Sequence, residues 1–198
     1  MAAPRRVVLA TGNAGKVREL GALLAPLGLQ LVPQTALGIG SVEETGDTFV
    51  ANALLKARHA ARAAQLPALA DDSGIEVDAL GGRPGVWSAR YAGHSASDAE
   101  NNALLLKDLA GVPPARRTAR YRCVIAYVRQ PDDPAPLLAR GDWEGMIATT
   151  PAGTGGFGYD PLFIPAGEDG TAAQMSAVDK NRISHRGKAL AELLRLLQ

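Results

Sequence analysis

Two aspartates stand side by side at Asp71-Asp72, directly after an apolar run and before Ser73-Gly74. Adjacent carboxylates repel each other unless a cation or hydrogen-bond donors compensate. In extended backbone they point to opposite faces, so one can serve a cleft while the other anchors the backbone. Oxygen ligands of this kind select Mg2+ or Mn2+ rather than zinc. A second acidic group, Glu43, Glu44 and Asp47, precedes a helical stretch, where acids also complement the helix dipole. Upstream, Thr11-Gly12-Asn13-Ala14-Gly15-Lys16 sits where a strand hands over to a helix. Amides at a helix start, with the Lys16 ammonium beside them, suit a phosphate. This is not a Walker A loop: only Asn13 and Ala14 separate the glycines, and Val17 follows the lysine where that motif carries Ser or Thr. Any divalent cation must therefore be held elsewhere. A plain strand-to-helix turn accounts for the same six residues.

Three further segments carry unusual residues. Asn52, Lys56 and His59 fall on one narrow face of a helix beside its apolar stripe, where Lys56 either snorkels to solvent or meets phosphate. Ser184-His185-Arg186-Gly187-Lys188 opens the C-terminal helix with basic residues, which the helix dipole opposes by about 0.3–1 kcal/mol per charge. That pattern suggests that His185 and Arg186 face a ligand. Gly155-Gly156-Phe157-Gly158-Tyr159-Asp160 sets two aromatics among glycines, a stacking platform for a base or an aromatic turn anchor.

The elements that must position these residues alternate. Arg6–Ala10 and Leu29–Val32 read as short strands, with a helix from Lys16 to Leu24 ending near Pro26. Asp47 or Thr48 caps a helix whose stripe is Phe49, Ala53, Ala57, Ala60 and Ala64. A strand ends at Asp71-Asp72, Ser73-Gly74 supplies a turn, and Ile75–Leu80 starts another strand. Gly81–Gly93 is too rich in glycine and proline for a regular element. Ser97–Leu109 is an amphipathic helix with Asp98 and Glu100 in its first turn. Thr118–Val128 and Leu137–Thr149 read as long strands around a Pro/Asp turn, and Pro161–Ile164 as a short one. The last helix turns Leu190, Leu193, Leu194 and Leu197 inward. The class is α/β, or mixed α+β, in a single domain over residues 1–198.

Composition narrows the function classes. The chain has 198 residues, and 21 Lys and Arg against 20 Asp and Glu leave a net charge of +1. Non-specific attraction to nucleic acid or to a membrane surface needs a strong basic excess. That argues against an RNA-binding module or any stable nucleic-acid partner. One cysteine, Cys123, excludes an intramolecular disulfide and a cysteine-cluster zinc site, and it reads as a buried strand residue. No apolar run reaches the roughly 18 residues of a membrane span, so a cytoplasmic protein is expected.

Six of these segments, Thr11–Lys16 (TGNAGK), Glu43–Thr48 (EETGDT), Leu69–Gly74 (LADDSG), Gly81–Tyr91 (GGRPGVWSARY), Gly153–Pro161 (GTGGFGYDP) and Lys180–Lys188 (KNRISHRGK), together resemble the inosine/xanthosine triphosphate pyrophosphatase family. These Ham1-like enzymes cleave non-canonical purine nucleoside triphosphates, and the matches run in family order over nearly the whole chain. The resemblance implies a long, curved mixed sheet with flanking helices forming two lobes around a central cleft, and a homodimer. It implies hydrolysis of dITP, ITP and XTP to the monophosphate and pyrophosphate, with Mg2+, or Mn2+ as a substitute. By position, Thr11, Gly12, Asn13, Ala14, Gly15 and Lys16 bind the triphosphate, and Lys56 adds charge there. Asp72 resembles the general base and a metal ligand, and Glu44 the second metal-site acid. Ser73, Phe157, Gly158, Tyr159, Asp160, Lys180, His185 and Arg186 resemble the positions around sugar and base. Gly81–Tyr91 resembles a segment near the cleft and the dimer contact.

One departure stands out. Where the family commonly has Glu in a Phe-x-Glu-Asn-Ala stretch, this chain reads Phe49-Val50-Ala51-Asn52-Ala53. Glu44 and Asp72 are then expected to suffice, because water completes the octahedron of Mg2+. Base choice is expected to follow hydrogen-bond direction: hypoxanthine and xanthine present an acceptor oxygen at C6, where adenine presents a donor. A Maf-like pyrophosphatase for modified pyrimidine nucleotides is a competing enzyme reading, disfavoured by the His185-Arg186 segment and the GTGGFGYD loop. A non-catalytic nucleotide-binding module has no use for the acidic pair.

Overall fold

The N-terminal apolar run forms strand β1 (Arg6–Leu9), with Val7, Val8 and Leu9 buried, in a computed structural model that describes residues 6–13, 15–17, 20–21 and 29–198. β1 pairs in parallel with β2 (Gln30–Pro33) and with β3 (Ala68–Val77), Leu9 lying opposite Leu69. With β4 (Thr118–Val128), β5 (Leu137–Ile147) and β6 (Phe163–Pro165) these make a six-stranded sheet of order β2-β1-β3-β4-β5-β6. β5 and β6 are antiparallel, so the sheet is mixed, as the α/β reading of the sequence expects. Residues 15–17 and 20–21 are helical and Leu20 is buried; Ala14 and the expected helix end at Leu24 and Pro26 lie outside the described residues.

Helix α1 (Phe49–Ala64) starts where the sequence indicates: Thr48 is extended, and its hydroxyl accepts from Ala51 N at 3.1 Å. Phe49, Ala53, Ala57 and Ala60 of the expected stripe are buried, joined by Ala61, while Ala64 is only half-buried. Helix α2 (Asp98–Asp108) opens on a capping box in which Ser97 and Glu100 satisfy each other's backbone amides. The expected turn between β4 and β5 is closed by Asp133, whose carboxylate accepts from Arg129 N and Ala135 N.

Three expectations are corrected. Asp71-Asp72 do not end a strand, and Ser73-Gly74 make no turn: β3 runs unbroken through all four, followed by a short 3-10 turn at Asp78–Leu80. β1 lies beside the strand only at Ala68 and Leu69, but β3 is also paired with β4 in the sheet and Ile75 N donates to Ser88 Oγ at 2.9 Å; these tertiary partners override the local preference of Gly74 for a turn. The C-terminal region holds two helices, α3 (Ala177–Ile183) and α4 (His185–Leu196), and Ser184 is the C-cap of the first. Leu190 and Leu193 face inward, but Leu197 lies past the end of α4 and is exposed.

The chain divides into two compact units. One comprises residues 1–72, 123–141 and 186–198; its core includes Val7, Leu9, Leu20, Leu69, Ile125, Leu190 and Leu193. Burying a side chain of this size contributes about 1.5–3 kcal/mol. Cys123 belongs to this core, and burial pushes its thiol up to about 12, so it is an inert packing residue. The other unit comprises residues 73–122 and 142–185, built around Ile75, Leu105, Leu109, Tyr121, Trp143 and Phe163. Its sheet residues Arg120 and Arg122 make cross-strand ion pairs with Glu76, Asp142 and Glu144, and Arg120 also pairs with Asp78 in the turn after β3.

Candidate functional site

In the first unit, α1 and β3 bring Glu44, Lys56 and Asp72 together. The Lys56 ammonium donates to Glu44 Oε1 at 2.6 Å and to Asp72 Oδ1 at 2.8 Å. Lys56 does not snorkel to solvent: its side chain is 14% exposed and sits between two acids. Burial works against its charge, but Asp72, Asp71 and Glu44 outweigh that, and its pKa is raised. Asp72 is pushed up from its ordinary value by burial and by Glu44, with Lys56 and Lys16 pulling the other way. Its second oxygen, Oδ2, is buried and has no hydrogen-bond partner among the described residues.

Glu44 reaches this position because its segment lies tightly on the first turn of α1. Asn52, fully buried and one turn before Lys56, accepts from Gly46 N at 2.8 Å. A Cβ at Gly46 would lie 2.7 Å from both Ala51 Cβ and Asn52 Oδ1, so only glycine allows the approach. Asn52 is thus a seating residue that its place on the helix face only hinted at. His59 turns elsewhere and bonds the Gly40 carbonyl.

Asp71, on the opposite face of β3, is fully enclosed by a different set. Lys16 Nζ lies 2.9 Å from its Oδ2, and Arg186 Nε donates to the same oxygen at 3.3 Å. Burial pushes the Asp71 carboxyl up, but Lys16, Arg186 and Lys56 outweigh it and hold it well below the usual carboxylate range. Asp71 therefore anchors side chains rather than the backbone. The same pair explains how Arg186, 4% exposed, is tolerated at the start of α4: Asp71 offsets its charge against the helix dipole.

The expected phosphate loop is partly self-satisfied. Asn13 Oδ1 accepts from Gly15 N at 2.8 Å and from Lys16 N at 3.1 Å, and Asn13 N donates to Thr11 Oγ1. The sequence suggests free amides here; Asn13 instead caps the helix itself. What the segment contributes is the Lys16 side chain, with Gly12 and Asn13 exposed beside a buried Thr11.

The second unit holds Ser73, Phe157, Gly158, Tyr159, Asp160, Lys180 and His185. Asp160 is the hub, since its Oδ2 accepts from Lys180 Nζ at 2.6 Å and from Phe157 N at 2.8 Å. Any side chain at Gly156, where φ is +72°, would collide with that carboxylate. The Lys180 ammonium lies 5.2 Å from the centre of the Phe157 ring. Tyr159 is no platform: its ring is in the core, and its hydroxyl donates to the Ser88 carbonyl at 2.8 Å. Phe157, by contrast, is half-buried. His185 is 2% exposed, and its ring stacks on Tyr121 at 4.6 Å with 6° between the planes. Tyr121 also donates to Asp160 Oδ1 at 3.4 Å. No spacing in the sequence marks Tyr121, because its partners come from residues 143, 160, 163 and 185.

The residues available for a divalent cation are few. Among the described residues no group of three or more His, Cys, Asp and Glu is placed to hold a metal. Mg2+ asks less, binding through one or two carboxylates while keeping waters and substrate oxygens. Glu44 and Asp72 share one ammonium, and the buried Asp72 Oδ2 is an acceptor that a cation satisfies, so the donor set fits that ion.

The profile of the Ham1 family matches residues 7–196. The chain is 57% identical over 194 residues to a dITP/XTP pyrophosphatase of Shigella flexneri, covering 98% of each, and 58% identical to one of Methylococcus capsulatus, covering 96% of this chain and 94% of that one. Among solved structures, a HAM1 protein from Coxiella burnetii superposes with a TM-score of 0.91 at 48% identity, covering 98% of both chains. A nucleoside-triphosphatase / dITP/XTP pyrophosphatase from Mycobacterium abscessus gives 0.77 at 42% identity, covering 98% of this chain and all of that one. With this extent of likeness in sequence and in backbone, the chain belongs to the Ham1 family.

Proposed function

We propose that this chain is a Mg2+-dependent nucleoside-triphosphate pyrophosphatase that hydrolyses dITP, ITP and XTP to the nucleoside monophosphate and pyrophosphate. The observation that carries the reading is the Lys56 ammonium held between Glu44 and the buried Asp72. Relatives named dITP/XTP pyrophosphatase, more than half identical over nearly their whole length, support the substrate class.

Glu44 and Asp72 would hold the Mg2+, which would supply Lewis-acid polarisation of the substrate's phosphate groups. Lys16 and Lys56 offset the negative charge of the polyphosphate. Asp72 accepts a proton from the water that attacks the α-phosphorus, and the bond to the bridging oxygen breaks as pyrophosphate leaves with the electron pair. Positioning and electrostatics do most of the work in such a reaction. Phe157 stacks on the base, and Asp160, Lys180 and His185 fix the polar surroundings of that ring. A site built around a hydrogen bond rejects a substrate that cannot form it by up to about 10⁴–10⁵. Adenine, with a donor at C6, is the base so rejected.

The test is pyrophosphate release from ITP, dITP, XTP, dTTP and ATP, with Mg2+ and after chelation. Turnover of the first three, lost on chelation and weak for dTTP and ATP, is expected. Preferred hydrolysis of pyrimidine nucleotides would point to the Maf-like activity, and silence on every nucleotide to a binding module.

The chain acts as a homodimer in the cytoplasm. Trp87 supports the first statement: it is 56% exposed, with Arg90 stacked 4.4 Å over its ring, in the segment that resembles the family's dimer contact. Sedimentation of the purified protein is expected to give twice the chain mass, and Trp87→Ser to shift it toward the monomer. No helix among the described residues is long and apolar enough to cross a membrane.

A further inference from the structure

We propose that Asp98 and Asn102 of helix α2 are positioning residues that clamp Gly158 and so set how tightly the purine base is bound, an inference that rests on the reading of Phe157–Asp160 as the base-binding run. The two side chains are one helical turn apart and share a face. Asp98 Oδ2 accepts from Gly158 N at 2.6 Å, and Asn102 Nδ2 donates to Gly158 O at 2.8 Å. Both backbone polar groups of one residue are therefore gripped from one helix. The same Asn102 nitrogen donates to the Asp98 carbonyl at 2.8 Å, which ties the clamp to its own turn.

The position needs such a grip. Gly158 has φ +63°, in the left-handed region, and turns the chain between Phe157 and Tyr159. Each of its neighbours has its own anchor: Phe157 N donates to Asp160, and the Tyr159 hydroxyl to Ser88. Glycine is the residue with the most conformational freedom to lose, so Gly158 is where the run would slacken without the clamp. The bond to the Asp98 carboxylate is charge-assisted and stronger than a neutral one. A slack run would have to be ordered when the base binds, which weakens binding. Neither side chain touches reacting atoms, so the effect belongs in KM and base choice rather than in kcat. α2 also keeps its start without the Asp98 side chain, because Ser97 and Glu100 form the cap.

Pyrophosphate release from dITP and dATP, with wild type, Asp98→Ala, Asp98→Asn and Asn102→Ala, tests the proposal. Asp98→Ala and Asn102→Ala are each expected to raise KM for dITP about tenfold, the loss of one such hydrogen bond. Their kcat stays within about twofold, and the preference for dITP over dATP narrows. Asp98→Asn keeps an oxygen that accepts from Gly158 N and is expected to return KM to within about threefold of wild type, a rescue that a merely structural role would not produce. Should Asn102→Ala fail to fold, the Asp98 pair decides alone. Folded variants with unchanged KM, beside a wild type that hydrolyses dITP, overturn the clamp and leave the proposed function standing. A wild type inactive on every nucleotide overturns the function itself, and the clamp's role with it.

Discussion

Asp72→Asn is expected to lower turnover of dITP by about 10²–10⁴-fold, the usual contribution of a positioned general base, while the protein stays folded. Asparagine has nearly the same volume and still offers an oxygen to Lys56, whose other bond, to Glu44, is untouched. What disappears is the ability of the second oxygen to take a proton. That oxygen is buried and has no hydrogen-bond partner among the described residues, so its replacement by an amide breaks no existing bond. Pyrophosphate release measures the loss, and thermal melting checks the fold. Turnover within tenfold of wild type, at saturating Mg2+, would remove Asp72 from the proton transfer.

Its neighbour should behave in the opposite way. Asp71→Ala leaves Lys16 and Arg186, with side chains 14% and 5% exposed, without the carboxylate they share. Removing one partner from a buried ion pair destabilises by roughly 3–5 kcal/mol, because an uncompensated charge remains inside. For a protein of this size that corresponds to a melting temperature lower by about 6–20 °C. The effect has a pH signature. The Asp71 carboxyl is held below its ordinary value in the folded state, so its stabilisation is present in full above the unfolded value of about 3.9 and is lost as pH falls through the folded one. The gap between wild type and Asp71→Ala, measured by urea unfolding, should therefore be constant near neutrality and shrink in acid below about pH 4. Equal stability of the two proteins at pH 7 would mean that the Lys16 and Arg186 contacts contribute nothing.

The contrast between residues 71 and 72 shows how far a sequence argument reaches. That two adjacent aspartates serve two faces follows from the alternation of a strand, and that much is local geometry. Which charged partners each face meets is not local. It depends on Lys56 arriving from α1 and on Glu44 being seated by Asn52, against Lys16 and Arg186 arriving from opposite ends of the chain. The same holds for the two aromatics of the glycine loop. Their spacing marks both as unusual, yet Tyr159 is a core anchor because Ser88, far away in sequence, offers its carbonyl. The continuity of β3 was hidden for a related reason: Ser73-Gly74 has turn preference by itself, and only partners distant in sequence, β4 and Ser88, hold it extended.

From residue order alone come the helix cap at Thr48, the helix after Ser97, the paired long strands and the mixed class of the fold. Each of these depends on interactions within a few residues, or on a periodicity that a short window contains. Tertiary structure alone decided that Lys16 turns to Asp71, that His185 lies flat on Tyr121, and that α2 reaches across to hold Gly158. Those contacts join residues as many as 64 positions apart, as between His185 and Tyr121. Burial gives them their strength, since a charge or ring withdrawn from water must find its partner wherever the fold delivers one.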